Sequence, residues 1–150
     1  MQDLNLPKYD FKLKTIDGST HIFDLIRKKY VKLTDEEWVR QHLINYLVSH
    51  KGYAMNWMAV EYSLSFNSMK KRADIVCFNH SGSPLMIVEC KSAKVKISQP
   101  VFEQIARYNA SLHVPYLLVS NGLEHLCCQM DYQKKSYRFL QQIPNFKEIN

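Results

Sequence analysis

Four cysteines, at 77, 90, 127 and 128, are all that this 150-residue chain offers for thiol chemistry. None forms a C-x-x-C pair and none joins a histidine at zinc-ligand spacing, which excludes a zinc module. Cys77 and Cys90 fall inside apolar runs and read as small core residues. No apolar run approaches the length needed to span a bilayer, and Met1-Gln2-Asp3-Leu4-Asn5 lacks the charged and apolar regions of a signal peptide. The expected compartment is therefore the reducing cytoplasm. A linker, an internal repeat and a low-complexity segment are missing too, so residues 1–150 read as one domain of ordinary size.

What the chain does hold is a core and a charge. A hydrophobic content of 46% suffices for a real interior. Twenty Lys and Arg against 14 Asp and Glu leave a net +6, a modest bias toward polyanionic partners such as nucleic acid.

The stretch from Arg72 to Lys91 organises the rest. Two apolar, β-branched runs flank Asn79-His80-Ser81-Gly82-Ser83, which predicts a β-hairpin. With Ser81-Gly82 as the turn, His80 pairs with Ser83, Phe78 with Leu85, Val76 with Ile87 and Asp74 with Glu89. Glu89 and Lys91 share a face, because strand side chains repeat every second residue. Three charged groups thus meet at the open end of an otherwise apolar face, where unpaired carboxylates are unfavourable. A solvated salt bridge is one reading. The other is a divalent cation: two facing carboxylates hold Mg²⁺ through oxygen, with the ammonium near its water and a substrate phosphate.

Upstream, residues 11–14 and 21–24 joined through Asp17-Gly18 predict a small hairpin. Arg27-Lys28-Lys29-Tyr30 reads as a solvated loop, with a nucleic-acid contact as the alternative. Thr34-Asp35-Glu36-Glu37 is a capping box opening an amphipathic helix that Gly52 ends, with Val39, Leu43 and Leu47 as its buried stripe. Glu36 lies one turn back along that stripe, which makes it a further acidic candidate for the site, whereas Glu37 can be spent on capping. A charge simply favoured at the helix N-terminus is the other account of Glu36.

Residues 58–66 alternate, with Met58, Val60, Tyr62, Leu64 and Phe66 on one face and Glu61 solvated on the other. After the hairpin, a polar, basic segment with Lys94 and Lys96 leads into a second helix over 101–112. There Phe102, Ile105, Ala106 and Tyr108 or Asn109 form the inner face. Gln104 and Tyr108, four apart, share a helix face and either steady Lys91 or a phosphate or form a plain polar pair. Residues 115–120 read as a buried strand reached by a right-handed parallel crossover. Residues 126–130 and 137–140 predict a final hairpin, and Pro144 with Lys147-Glu148 a frayed end.

Helix, three strands, helix, strand, with Asp on one central strand and Glu-x-Lys on the next, resembles the PD-(D/E)xK nuclease superfamily. Four ordered motifs resemble, more narrowly, the N-terminal nuclease region of the type I restriction enzyme R subunit: Glu36-Glu37-Trp38-Val39-Arg40-Gln41-His42, Lys71-Arg72-Ala73-Asp74-Ile75-Val76, Val88-Glu89-Cys90-Lys91, and Phe102-Glu103-Gln104-Ile105-Ala106-Arg107-Tyr108-Asn109.

The resemblance implies an α/β, restriction-endonuclease-like mixed sheet flanked by helices: an αβββαβ core with a small N-terminal hairpin and C-terminal strands. It implies that Asp74 and Glu89 ligate Mg²⁺, with Mn²⁺ as a substitute, and that Lys91 orients or activates water. Gln104 and Tyr108 match a Gln-x-x-x-Tyr element that supports the site, and Glu36 matches an acidic helix position for which Glu37 competes. The implied activity is endonucleolytic hydrolysis of DNA. Lys70, Lys71, Arg72, Lys94, Lys96 and Arg107 are the expected DNA contacts, and a separate motor or specificity subunit is the expected partner.

Two departures stand out: Ala73 occupies the place usually held by Pro, and there is no Gly-x-x-x-x-Gly-Lys-Ser/Thr loop, so a nuclease region apart from its motor is expected. A non-cleaving nucleic-acid-binding or assembly module of the same fold is the alternative, and a structural domain whose acids are plain salt bridges is a third.

Overall fold

The computed structural model describes all 150 residues. Helix α1 (Asp35–Lys51) begins where Thr34 accepts the N–H of Glu37, and it ends at Gly52, whose φ of 79° gives the left-handed turn that glycine adopts without strain. The Glu37 side chain does not complete the box; it turns inward to Arg27 and Gln41.

Strands β1 (Leu13–Ile16), β2 (Ser19–Asp24) and β3 (Lys29–Lys32) precede α1 as a separate antiparallel sheet. The predicted hairpin is therefore part of a three-stranded sheet, and of the basic stretch 27–30 Lys28 lies in an exposed turn, as expected, while its neighbours depart from a solvated loop. Arg27 turns in on Asp24 at 2.5 Å, and Lys29-Tyr30 begins β3.

Strands β4 (Met58–Phe66), β5 (Met69–Phe78), β6 (Pro84–Cys90), β7 (Tyr116–Ser120), β8 (His125–Asp131) and β9 (Ser136–Phe139) form one sheet in that spatial order. Only β6 and β7 run parallel, joined across helix α2 (Gln99–Ala110). The basic run Lys70-Lys71-Arg72 belongs to β5 itself rather than preceding it.

Alternation along β6 separates the two sides of the sheet. Met86, Val88 and Cys90 join Val39, Leu43 and Leu47 of α1 in one core, while Ile87 joins Phe102 and Ala106 of α2 in the other. The helices thus cover opposite faces.

The central hairpin keeps the expected register by an unexpected route. Asn79 pairs with Ser83, so the loop holds three residues, with Gly82 at φ 82°. That shift by one is cancelled by an irregularity at Cys77/Phe78, where Pro84 pairs with Phe78 and Met86 with Cys77, leaving Leu85 as the extra residue. Val76 then faces Ile87, as the two-residue turn would have it, and Ile75 faces Val88 one step before Asp74.

Strand β4 does not keep one face. Met58 and Val60 pack on the α1 side but Leu64 on the α2 side, and in β5 Ala73 and Ile75, two apart, are likewise split. Between the pairs Val60–Ile75 and Tyr62–Ala73, Glu61 adopts φ 52°, a left-handed conformation that costs a side-chain-bearing residue about 1 kcal/mol. Both strands roll over at this level, the level of Asp74. Tyr62 and Phe66 are left exposed.

The C-terminus is docked rather than frayed. Tyr53 donates its hydroxyl to the carbonyl of Pro144 at 3.0 Å, and the Phe146 ring of the short helix α3 (Phe146–Ile149) packs on Tyr53 and His80. All four cysteines are free and buried, and burial pushes the thiols of Cys77, Cys127 and Cys128 up to about 12. We expect none of the four to react with iodoacetamide at pH 8 in the folded protein and all of them to react in denaturant, read by intact mass.

Candidate active site

The rolled-over level of β4 and β5, the C-terminal end of β6 and the first turns of α1 converge on one cluster of charge. Asp74 lies one residue before Ile75, the first residue of β5 that pairs with β6, so it stands where β5 and β6 part while β4 stays paired with β5 on either side of it. It accepts the backbone N–H of Cys90 at 2.7 Å, and Cys90 stands between Glu89 and Lys91. One hydrogen bond thus ties the Asp74 carboxylate of β5 to the backbone at the end of β6, next to the residues that carry Glu89 and Lys91. Lys91 continues the parallel ladder, donating its N–H to the Ser120 carbonyl at 2.8 Å.

Glu89 is 8% exposed, and its carboxylate takes the ammonium of Lys71. That amine also reaches Asn109 Oδ1 at 3.5 Å and lies 5.1 Å from the centre of the Tyr108 ring. Burial pulls Lys71 down to about 8 with the positive charge of Lys91 helping, while Asp74 acts the other way.

Glu36 faces Arg40 at 3.6 Å. Burial, then the negative charge of Asp74, holds Glu36 above the usual carboxylate range, against the opposing fields of Arg40 and Lys91. The charges of Asp74 and Lys91 thus both reach Glu36.

Sequence reasoning missed the cation beneath them. Arg40, 5% exposed, stands 3.6 Å from Glu36, 3.6 Å from Glu37, 3.5 Å from Glu61 and 3.9 Å from Asp74. Its Nε and Nη1 make no hydrogen bond. Arg27 bridges Asp24 and Glu37 beside it, and Arg72 grips Glu61 at 2.5 Å. Burial favours the neutral acid of Glu61, but Arg72, Arg40 and Arg27 together hold its carboxyl below the usual range, and they pin the strained residue where the sheet rolls over.

The remaining expected residues divide. Tyr108 borders the site, whereas Gln104 is exposed and its side chain makes no hydrogen bond within the chain. Lys71 turns inward, Arg72 is tied to Glu61 and Lys94 to Asp35 at 2.9 Å. Lys70, Lys96 and Arg107 are exposed and carry no ion pair. Asn109, missed as a site residue, is a polar side chain on the inner stripe of α2, a signal present in the helical spacing.

Residues 35–144 match the family described as type I restriction enzyme R protein N terminus (HSDR_N). The chain belongs to this family. A solved fragment assigned as an HsdR subunit of a type I restriction enzyme from Vibrio vulnificus YJ016 is similar in fold to this R-protein N-terminal domain. The TM-score is 0.55 at 20% identity, over 78% of this chain and 24% of that one. At that identity the likeness speaks to fold alone, and the domain spans about a quarter of that protein's length. No curated protein matches the sequence.

The donor set of the R-protein domain suits a hard cation. Asp74 and Glu89 offer carboxylate oxygens from adjacent strands, and Glu36, raised by burial first and by the charge of Asp74 second, is a further carboxyl near Asp74. No three His, Cys, Asp or Glu side chains stand together as a ready cage. Mg²⁺ does not need one, since it is commonly held by one or two carboxylates with water and substrate phosphate completing the shell. No helix is long and apolar enough to cross a membrane.

Proposed function

We propose that this domain is a divalent-cation-dependent endonuclease that hydrolyses DNA phosphodiester bonds, the cutting part of an assembly whose motor or specificity subunit is a separate partner. The observation that carries the reading is the hydrogen bond that anchors Asp74 on Cys90, between Glu89 and Lys91.

Asp74 and Glu89 are the residues that would hold Mg²⁺, or Mn²⁺ in its place, with Glu36 as a further acidic neighbour. When bound there, the cation supplies the Lewis acidity that polarises the scissile phosphate and lowers the pKa of the attacking water. The Cys90 N–H orients Asp74 before any ligand arrives. Lys91 places a positive charge where the phosphate gains negative charge in the transition state, and orients the water. Tyr108 flanks the site from α2, and exposed Gln104 lies one turn away, facing the approaching strand. Lys70, Lys96 and Arg107 hold the DNA backbone electrostatically, helped by Arg72 and Lys94 once their surface ion pairs open, an exchange of small cost. A cytoplasmic setting suits this role and the four free thiols.

Nicking of supercoiled plasmid tests the reading: the purified domain converts it to open circles in Mg²⁺ or Mn²⁺, and EDTA stops the reaction. The engagement of Glu89 by Lys71 favours a second reading, a module of this fold that binds DNA or assembles without cutting. Salt-sensitive DNA binding with no cation-dependent nicking would select it.

A further inference from the structure

Lys71 sits in a cradle of its own. Of the basic run in β5 it alone turns inward: its side chain is 18% exposed against 63% for Arg72. Its ammonium meets three electron-rich groups drawn from two elements: the Glu89 carboxylate of β6, and the Asn109 amide oxygen and Tyr108 ring of α2. Asn109 is 2% exposed and donates its amide nitrogen to the Ile105 carbonyl at 2.8 Å, which leaves its oxygen toward Lys71. Glu89 has no other hydrogen-bonding or ion-pair partner, and a buried carboxylate without one is costly.

We infer that Lys71 is the site's internal counter-ion: it neutralises Glu89 while no metal is bound, gives way to a divalent cation there, and then binds a phosphate of the DNA. This rests on Asp74 and Glu89 being the cation's ligands. An ammonium and a divalent cation on one carboxylate repel one another, and Lys71 rests on a single oxygen of Glu89, so loading the cation drives the amine off. The flexible four-carbon stem of lysine permits the move, and Asn109 and Tyr108 keep the displaced amine at the edge of the site. A DNA phosphate arriving there gains a cation that the empty site does not offer. Cation and DNA therefore bind cooperatively, each tightening the other.

Calorimetric titration with Mn²⁺, without DNA and with a cleavage-resistant phosphorothioate duplex, tests the assignment. Lys71→Met, free of the internal competitor, binds Mn²⁺ about tenfold more tightly than the native protein when DNA is absent, and the duplex tightens it by a smaller factor than it does the native protein. Lys71→Arg keeps the charge and restores the weaker, DNA-responsive binding. Lys71→Gln, which can still hydrogen-bond Glu89, serves if the Met variant does not fold. Mn²⁺ binding in Lys71→Met that is equal to or weaker than native overturns the role of Lys71. Asp74→Asn separates the two levels: if it leaves Mn²⁺ binding intact, the nuclease reading fails and this inference with it. If Asp74→Asn weakens binding and Lys71→Met does not strengthen it, only the inference about Lys71 fails.

Discussion

Asp74→Asn and Glu89→Gln each lower Mg²⁺-dependent plasmid nicking about a thousandfold, equivalent to ~4 kcal/mol of barrier, while leaving the fold intact. Both substitutions are nearly isosteric, which isolates charge from shape. In Asp74→Asn the new amide oxygen still accepts the Cys90 N–H, so the end of β6 keeps its place on β5. Glu89→Gln takes the carboxylate away from Lys71, but burial already eases proton loss from that amine. Lys91→Met falls by a similar factor, because it removes the charge that offsets the developing phosphate charge. Glu36→Gln has the smaller effect, since Glu36 is half-exposed and only its field reaches Asp74. Unchanged nicking in the Asp74 and Lys91 variants, with unaltered circular dichroism, would reject the assignment.

Arg40→Met costs about 3 kcal/mol of unfolding free energy in urea, because it strips the cation from beneath Glu36, Glu37, Glu61 and Asp74. Glu37 is itself buried and would keep only Arg27 and Gln41. Replacing a whole buried ion pair with apolar residues is often neutral, but removing one partner strands the other. Arg40→Lys recovers only part of the loss, because one ammonium cannot serve carboxylates on α1, β4 and β5 at once. A Met variant as stable as the native protein would mean that the carboxylates are solvated well enough to stand alone.

The legible parts of this architecture are those written in local chemistry. Thr34 and Gly52 bound α1 because a hydroxyl cap and a left-handed glycine act within a turn of chain. The pairing of Val76 with Ile87 is legible for a weaker reason: a longer turn and a bulge at Leu85 happen to cancel. Residues that act across the fold are not legible. Glu61 alternates correctly in the sequence, yet it takes a left-handed conformation inside β4, where Arg27, Arg40 and Arg72 gather on its carboxylate. Lys71 looks no different from Lys70 or Arg72 until α2 supplies Asn109 and Tyr108. The tail around Pro144 reads as frayed because the carbonyl that holds it answers to Tyr53, 91 positions away.

A crystal soaked in Mn²⁺, with data collected at the manganese absorption edge, shows whether Asp74 and Glu89 share a cation. The expected map has an anomalous peak within coordination distance of both Asp74 and Glu89, with the Lys71 amine withdrawn from Glu89. A map with no peak there, and Lys71 still resting on Glu89, would contradict it.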